Sequence, residues 1–254
     1  MDSTFKKRLL DMERLIGTVV TIAAPDVADV LSRLGFDFLW IDAEHGALDL
    51  TQAQMLVQAT AGRCSTVVRV SSQDEAWIKK ALDIGCDGIV VPHVNTEEQA
   101  RRIVELSFYP PVGTRSLGAA RGQGYGIDLP HAIEQANEQT AVIVQAEHIK
   151  AVENIESIVK VEGVTAVLIG PYDLSGSLGV LGQVDNPQVR EAVVHVAEEC
   201  RKARMPVGIF AADVAAAQQA LDDGVNMVAM GLDIFFLWQS ANKALADLRE
   251  TAWE

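Results

Sequence analysis

Eight short runs rich in Val and Ile, separated by longer amphipathic stretches in a chain of 254 residues, predict an α/β fold, a single (β/α)8 or TIM barrel. The alternation marks parallel βαβ units, and such a barrel needs about 250 residues. Glycines where an apolar helix pattern stops and the next strand begins are a third sign, because a left-handed residue caps a helix before the chain reverses. Gly35, Gly85 and Gly224 hold that place in LSRLGFDFLW, ALDIGCDGIVV and ALDDGVNMVAM. Eight parallel strands buried on both faces close more naturally into a barrel, and a doubly wound open sheet is the alternative that periodicity leaves. Residues 1–254 are expected to form one domain.

The runs are GTVVTIA from Gly17, FLWID from Phe38, TVVRV from Thr66, GIVVP from Gly88, AVIVQAE from Ala141, AVLIG from Ala166, PVGIF from Pro206 and MVAMG from Met227. Helices are expected over residues 50–60, 75–84, 96–106, 189–204 and 214–222. Residues 107–129 contain YPPVGTRSLGAARGQGYGID, too rich in Gly and Pro for a helix and too long for an ordinary connection, so they read as a functional βα loop. The segment IFFLWQSANKALADL from Ile234 reads as a helix with an apolar patch, suited to a neighbouring subunit or to the bottom of its own barrel.

Composition narrows the partners. With 49% apolar and 22% charged residues the chain is ordinary globular material. A net charge of -14 argues against nucleic acid, which demands clustered Lys and Arg. Cys64, Cys86 and Cys200 are odd in number, without CxxC spacing, and read as reduced thiols. The N-terminal MDSTFKKRLLDMERL has no apolar core, and no stretch approaches the ~18 apolar residues of a membrane span, so a cytoplasmic protein is expected.

In a parallel barrel the chemistry sits where the strands end. After the second run come Asp42, Glu44 and His45, after the third Arg69, after the fourth His93, after the fifth Gln145 and Glu147, and after the sixth Pro171 and Asp173. Glu147 and Asp173 follow consecutive strands and suit a hard cation such as Mg2+ or Mn2+. Two solvated loop carboxylates are the plainer reading of such a pair. His45 is placed to take a proton near neutral pH. Arg69, always charged, suits a carboxylate or a developing oxyanion. His93 stays ambiguous, and His131, His148 and His195 receive no role. No lysine falls on a strand, which speaks against a Schiff base and assigns the electrophilic work to a metal. Asp233, in MGLD, argues against a phosphate site after the eighth strand.

WIDAEHGALDL, VRVSSQDEAWIKKALDIGCDGIVVPHV, VGTRSLGAAR, QAEHIKAVENIESI and IGPYDLSGSLG resemble, in this order, the segments of the HpcH/HpaI family of class II pyruvate aldolases. The resemblance spans about residues 14–240. It implies a metal-dependent lyase that cleaves 4-hydroxy-2-oxo acids to pyruvate and an aldehyde, or runs the reverse addition through a metal-stabilised pyruvate enolate. It implies Glu147 and Asp173 as metal ligands, with Mg2+ or Mn2+ bound and Co2+ also accepted. His45 would be the catalytic histidine, supported by Asp42 and Asp83. Arg69 would lie beside the pyruvate oxygen, Gln145 would contact pyruvate or metal-bound water, and the backbone of Pro171 and Tyr172 would hold the carboxylate with that of Asp173. Phe210 stands where relatives often carry leucine on the aldehyde side, and Arg121, in a segment that departs from the wording of relatives, would reach the acceptor's distal group. Relatives of this kind are hexamers with an exchanged C-terminal helix and an active site near a subunit boundary. Oxaloacetate decarboxylation and acyl-CoA thioester cleavage are the neighbouring activities, the latter disfavoured by the lack of a basic patch for CoA phosphates. A barrel that has lost catalysis and serves as a binding protein is the non-enzymatic alternative.

Overall fold

The computed structural model describes residues 4–252 and closes the eight strands into one parallel barrel in sequence order, with β1 beside β8. The strands are β1 (Leu15–Val20), β2 (Phe38–Asp42), β3 (Ser65–Arg69), β4 (Gly88–Val91), β5 (Ala141–Ala146), β6 (Ala166–Ile169), β7 (Val207–Ala211) and β8 (Met227–Leu232). The helices are α1 (Phe5–Leu10), α2 (Pro25–Ser32), α3 (Leu50–Thr60), α4 (Glu75–Asp83), α5 (Glu97–Ser107), α6 (Leu129–Gln139), α7 (Ile149–Glu153), α8 (Ile155–Ile158), α9 (Pro171–Ser177), α10 (Pro187–Ala203), α11 (Val214–Asp222) and α12 (Asp233–Ala252). Gly35, Gly85 and Gly224 take positive φ angles of 89°, 79° and 89°, as helix-ending turns require. No helix among the described residues is long and apolar enough to cross a membrane.

The two-residue period of a strand sorts every side chain. One set, including Leu39, Ile41, Val68, Ile89, Val91, Val144 and Val167, points outward and packs under the helices. The alternate set, including Val19, Phe38, Trp40, Val67, Val90, Ile143, Leu168 and Ala229, fills the interior. Both faces are therefore buried, which is why the strands read as continuous apolar runs. Continuing the inward set towards the carboxyl ends brings Asp42, Arg69, Gln145 and Phe210 to the mouth of the barrel, directly above the apolar plug.

At the opposite end α1 closes the barrel, with Phe5 buried against Phe38 at a ring separation of 5.6 Å. Between β8 and β1 the closure is polar. Asp233 accepts the Thr21 and Ile22 amides at 2.9 and 2.8 Å and the Thr21 hydroxyl at 2.8 Å.

Two expectations need correction. Residues 107–129 follow α5, not a strand, so they lie at the amino end of the barrel, away from the mouth; they include a 3-10 stretch over Arg121–Gly126. The C-terminal helix does not cover the bottom of its own barrel: α12 begins at the mouth, where Phe235 lines the cavity, and Leu237 and Trp238 are 60% and 63% exposed.

Because Phe5 is fully enclosed yet remote from the mouth, Phe5→Ala is expected to cost about 3–5 kcal/mol in urea denaturation. The kcat of the folded fraction should not change. A cost below about 1 kcal/mol would show that α1 is not part of the core.

Candidate active site

The mouth encloses a cavity of about 340 Å3. Asp42, His45, Arg69, Gln145, Pro171, Tyr172, Asp173 and Phe210 all line it, together with Trp40 and Phe235. Eight of the eleven residues singled out from the sequence therefore meet in one space, and a ninth, Glu147, is bonded to its wall.

Asp42 and Arg69 are register partners at the ends of β2 and β3. The guanidinium grips the carboxylate with two hydrogen bonds, Nε to Oδ1 at 2.8 Å and Nη2 to Oδ2 at 2.7 Å. Its third nitrogen, Nη1, lies 3.1 Å from Glu44 Oε2, and its plane sits 4.9 Å from the Trp40 ring. Burial works against charge on both partners, yet the paired hydrogen bonds and opposite charges prevail. The Asp42 carboxyl is held below the usual carboxylate range and Arg69 above its ordinary value. Asp42 Oδ1 also accepts the Glu44 and His45 amides at 3.1 and 3.3 Å, which fixes the turn carrying both side chains. The His45 side chain is 67% exposed at the rim, with Nε2 3.9 Å from Glu44 Oε2.

Across the mouth Glu147 is 1% exposed. It accepts the Gln145 side-chain amide, and the His93 backbone amide donates to it at 2.7 Å. Burial pushes its carboxyl up to about 7; the His93 amide and imidazole oppose the shift, and nearby Glu44 and Asp173 add to it. Burial likewise raises Glu44, against the pull of Arg69, His45 and His93. Gly170 makes the packing possible, since a Cβ there would fall 2.7 Å from Glu147 Cβ and 3.0 Å from Gln145 Nε2. Asp173 is exposed in the first turn of α9, close enough to Glu147 for their charges to interact.

Two residues without an assigned role complete the cluster. Glu44, His93 and Glu147 each offer one ligand atom, all within 4.8 Å of one another, a group able to hold a metal ion. Glu44 lies in a sequence already rich in candidates. His93 is hidden by its backbone, whose left-handed φ of 58° turns the side chain back over the mouth in a way that strand alternation does not foretell.

Asp83 and Arg121 are not brought to this cavity. Asp83 ends α4 at the amino end, where its Oδ1 accepts Arg115 Nη2 at 2.8 Å and Gln123 Nε2 at 2.9 Å. Arg121 Nη1 donates to the Ile84 and Gly85 carbonyls, both at 2.9 Å. Within one chain neither Asp83 supports His45 nor Arg121 reaches an acceptor, because a helix after a strand runs back and places its end opposite the mouth.

A parallel barrel with an imidazole, a clamped guanidinium and several carboxylates gathered at its carboxyl rim has the layout of a barrel enzyme. Residues 16–239 match the family described as HpcH/HpaI aldolase/citrate lyase. The chain is 36% identical over 250 residues to the 4-hydroxy-2-oxovalerate aldolase of Novosphingobium aromaticivorans, covering 98% of this chain and 95% of the relative. It is 38% identical over 245 residues to the 5-keto-4-deoxy-D-glucarate aldolase of Klebsiella pneumoniae subsp. pneumoniae, covering 96% and 95%. A crystal structure of a HpcH/HpaI aldolase/citrate lyase family protein from Burkholderia cenocepacia superposes with a TM-score of 0.93 at 33% identity, covering 96% of this chain and 98% of the other. The chain belongs to the HpcH/HpaI aldolase/citrate lyase family, and as an aldolase it is a carbon-carbon lyase.

Leaving Arg69 buried without its partner should be costly, so Asp42→Asn is expected to lower stability by about 3–5 kcal/mol near neutral pH. The folded carboxyl titrates below its unfolded value, so the Asp42 contribution is complete above about pH 4 and disappears as the pH falls further. Urea melts of both proteins from pH 8 to pH 3 should show a constant gap that closes only at the acid end. A gap already shrinking at pH 6 would contradict this pairing.

Proposed function

We propose that the chain cleaves 4-hydroxy-2-oxo acids to pyruvate and an aldehyde, and catalyses the reverse addition, with a divalent cation held by Glu147 and Asp173. The observation that carries the reading is the crowding of Glu44, Glu147 and Asp173 near one another where, among the described residues, Arg69, already claimed by Asp42, is the one fixed positive charge lining the cavity. Gln145 Oε1, buried beside them, has no hydrogen-bond partner in its surroundings. Carboxylates near one another beside an unpartnered amide oxygen suit a hard cation, Mg2+ or Mn2+, with Co2+ also accepted. When bound, such a cation polarises the 2-oxo carbonyl and makes the neighbouring methyl protons acidic.

The protein's own groups do the rest. Arg69 is held rigid by Asp42 and faces the negative charge that develops on the substrate's oxo oxygen. His45, at the exposed rim, removes a methyl proton during addition and returns it after cleavage. The first amides of α9, behind Pro171 and Tyr172, have no acceptor within their helix and receive the substrate carboxylate. Gln145 is fixed by Glu147 and orients the oxo acid. The rings of Tyr172 and Phe210, 6.5 Å apart, form the wall that the aldehyde meets.

Asp83 and Arg121 enter this scheme only across a subunit boundary. The projecting apolar face of α12 provides for such an assembly, and the resemblance to hexameric relatives supports it. In the oligomer the amino end of one barrel adjoins the mouth of another, where Asp83 supports His45 and Arg121 meets the acceptor's distal group. The location we propose is the cytoplasm.

Removal of divalent metal with EDTA should abolish aldol cleavage of 4-hydroxy-2-oxo acids, and added Mg2+ or Mn2+ should restore it; full turnover in the stripped enzyme would eliminate the scheme. His45→Ala should lower kcat by about 10²–10⁴-fold. It should also stop exchange of pyruvate methyl protons in D2O, followed by NMR, without weakening cation binding. For the shared site, His45→Ala and Asp83→Asn subunits, each impaired alone, should regain activity when reassembled together. If mixing restores nothing, Asp83 does not serve a neighbouring mouth.

A further inference from the structure

We infer that His93 is a nitrogen donor to the cation at the barrel mouth, so that this chain holds a mixed nitrogen and oxygen centre that favours transition ions such as Co2+ over Mg2+. The inference rests on the cation reading above and adds a ligand that the reading does not use.

The placement of His93 is specific. It follows Pro92 at the end of β4 with φ at 58°, a conformation that histidine tolerates better than most side chains. The turn aims the backbone amide at Glu147 Oε1 and folds the ring back over the same atom, with Nδ1 3.0 Å from Glu147 Oε1 and Nε2 3.6 Å from Glu44 Oε1. Two atoms bonded to one ion at about 2.1 Å lie up to roughly 4 Å apart, so Nδ1 and Glu147 Oε1 fit donors that share an ion, and with one ligand atom from each residue His93, Glu147 and Glu44 stay within 4.8 Å of one another.

An independent observation concerns the oxygens around it. Gln145 is buried and lines the cavity, and its Oε1 has no hydrogen-bond partner. Glu44 Oε2, buried as well, receives no hydrogen bond among the described residues and lies 3.1 Å from Arg69 Nη1 and 3.9 Å from His45 Nε2. Buried acceptors left without donors are costly, and a cation bound beside them would lower that cost.

His93 is also free to serve. It is 59% exposed, so its ring can settle onto an ion without disturbing the core. An all-oxygen site suits Mg2+, which keeps several waters and asks little of the protein. Adding an imidazole shifts preference towards Co2+, Ni2+ and Zn2+, for which nitrogen is a better donor.

The test uses the full chain stripped with EDTA, then loaded with Cu2+ as an EPR probe and titrated separately with Co2+ and Mg2+ by calorimetry. The wild type should show superhyperfine coupling to nitrogen, retained in His45→Ala and lost in His93→Asn, where asparagine accepts the left-handed backbone. Co2+ affinity of His93→Asn should fall at least about tenfold, with a much smaller change for Mg2+; His93→Gly, which also relieves the positive φ, should behave alike. Coupling that survives in His93→Asn, or equal losses for Co2+ and Mg2+, would overturn the inference while leaving the cation reading in place. Failure of the wild type to bind any of the three ions would overturn both.

Discussion

The buried pair of Asp42 and Arg69 is the constraint on which the mouth is built. Because the two residues end adjacent strands in register, the barrel itself aligns them, and no loop movement is needed to bring them together. Each keeps the other charged against burial. The pair then organises what surrounds it: Asp42 holds the amides of the turn that presents Glu44 and His45, and Arg69 faces Glu44 while lying over Trp40. Without the guanidinium, Glu44, Glu147 and Asp173 would crowd one space with no fixed positive charge.

Such a balance suits an acidic chain acting on an anion. With a net charge of -14 the protein as a whole repels a 2-oxo acid, so attraction must be concentrated at one point. Arg69 alone does not suffice, since Asp42 already offsets it. Burial raises the Glu147 carboxyl, and nearby Glu44 and Asp173 add to the shift. The divalent cation proposed for this site would supply the positive charge that these carboxylates lack among themselves.

Much of this was legible in the sequence because a barrel strand imposes a strict period. All eight strands lie where their apolar runs predicted, and α3 and α11 match residues 50–60 and 214–222 to the residue. Asp42, Arg69 and Gln145 were visible for the same reason, as polar residues on the inward register of otherwise apolar runs. What escaped does not obey that period. His93 depends on one left-handed residue beyond a strand. Asp83, Arg121 and residues 107–129 were set at the mouth because motif order carries no sign of which end of the barrel a segment occupies; the direction of α4 and α5 decides that. The folding of α12 away from its own barrel is a choice between two apolar surfaces, which composition alone does not make.

The relatives share a barrel and carry names for different aldol substrates, and the construction of the mouth accounts for that combination. Two polar pairs are fixed by hydrogen bonds, Arg69 gripping Asp42 on one side and Gln145 donating to Glu147 across the mouth, so neither member of a pair can change without stranding the other. The apolar part of the lining is looser: Tyr172 belongs to the first turn of a short helix, Phe235 to the start of α12, and Phe210 meets Tyr172 ring to ring. Replacing any of these leaves no buried charge unpaired. On the function proposed above, the half of the substrate common to all aldol cleavages of 2-oxo acids would meet the paired polar groups, and the variable aldehyde would meet the rings that can alter at little cost to the fold.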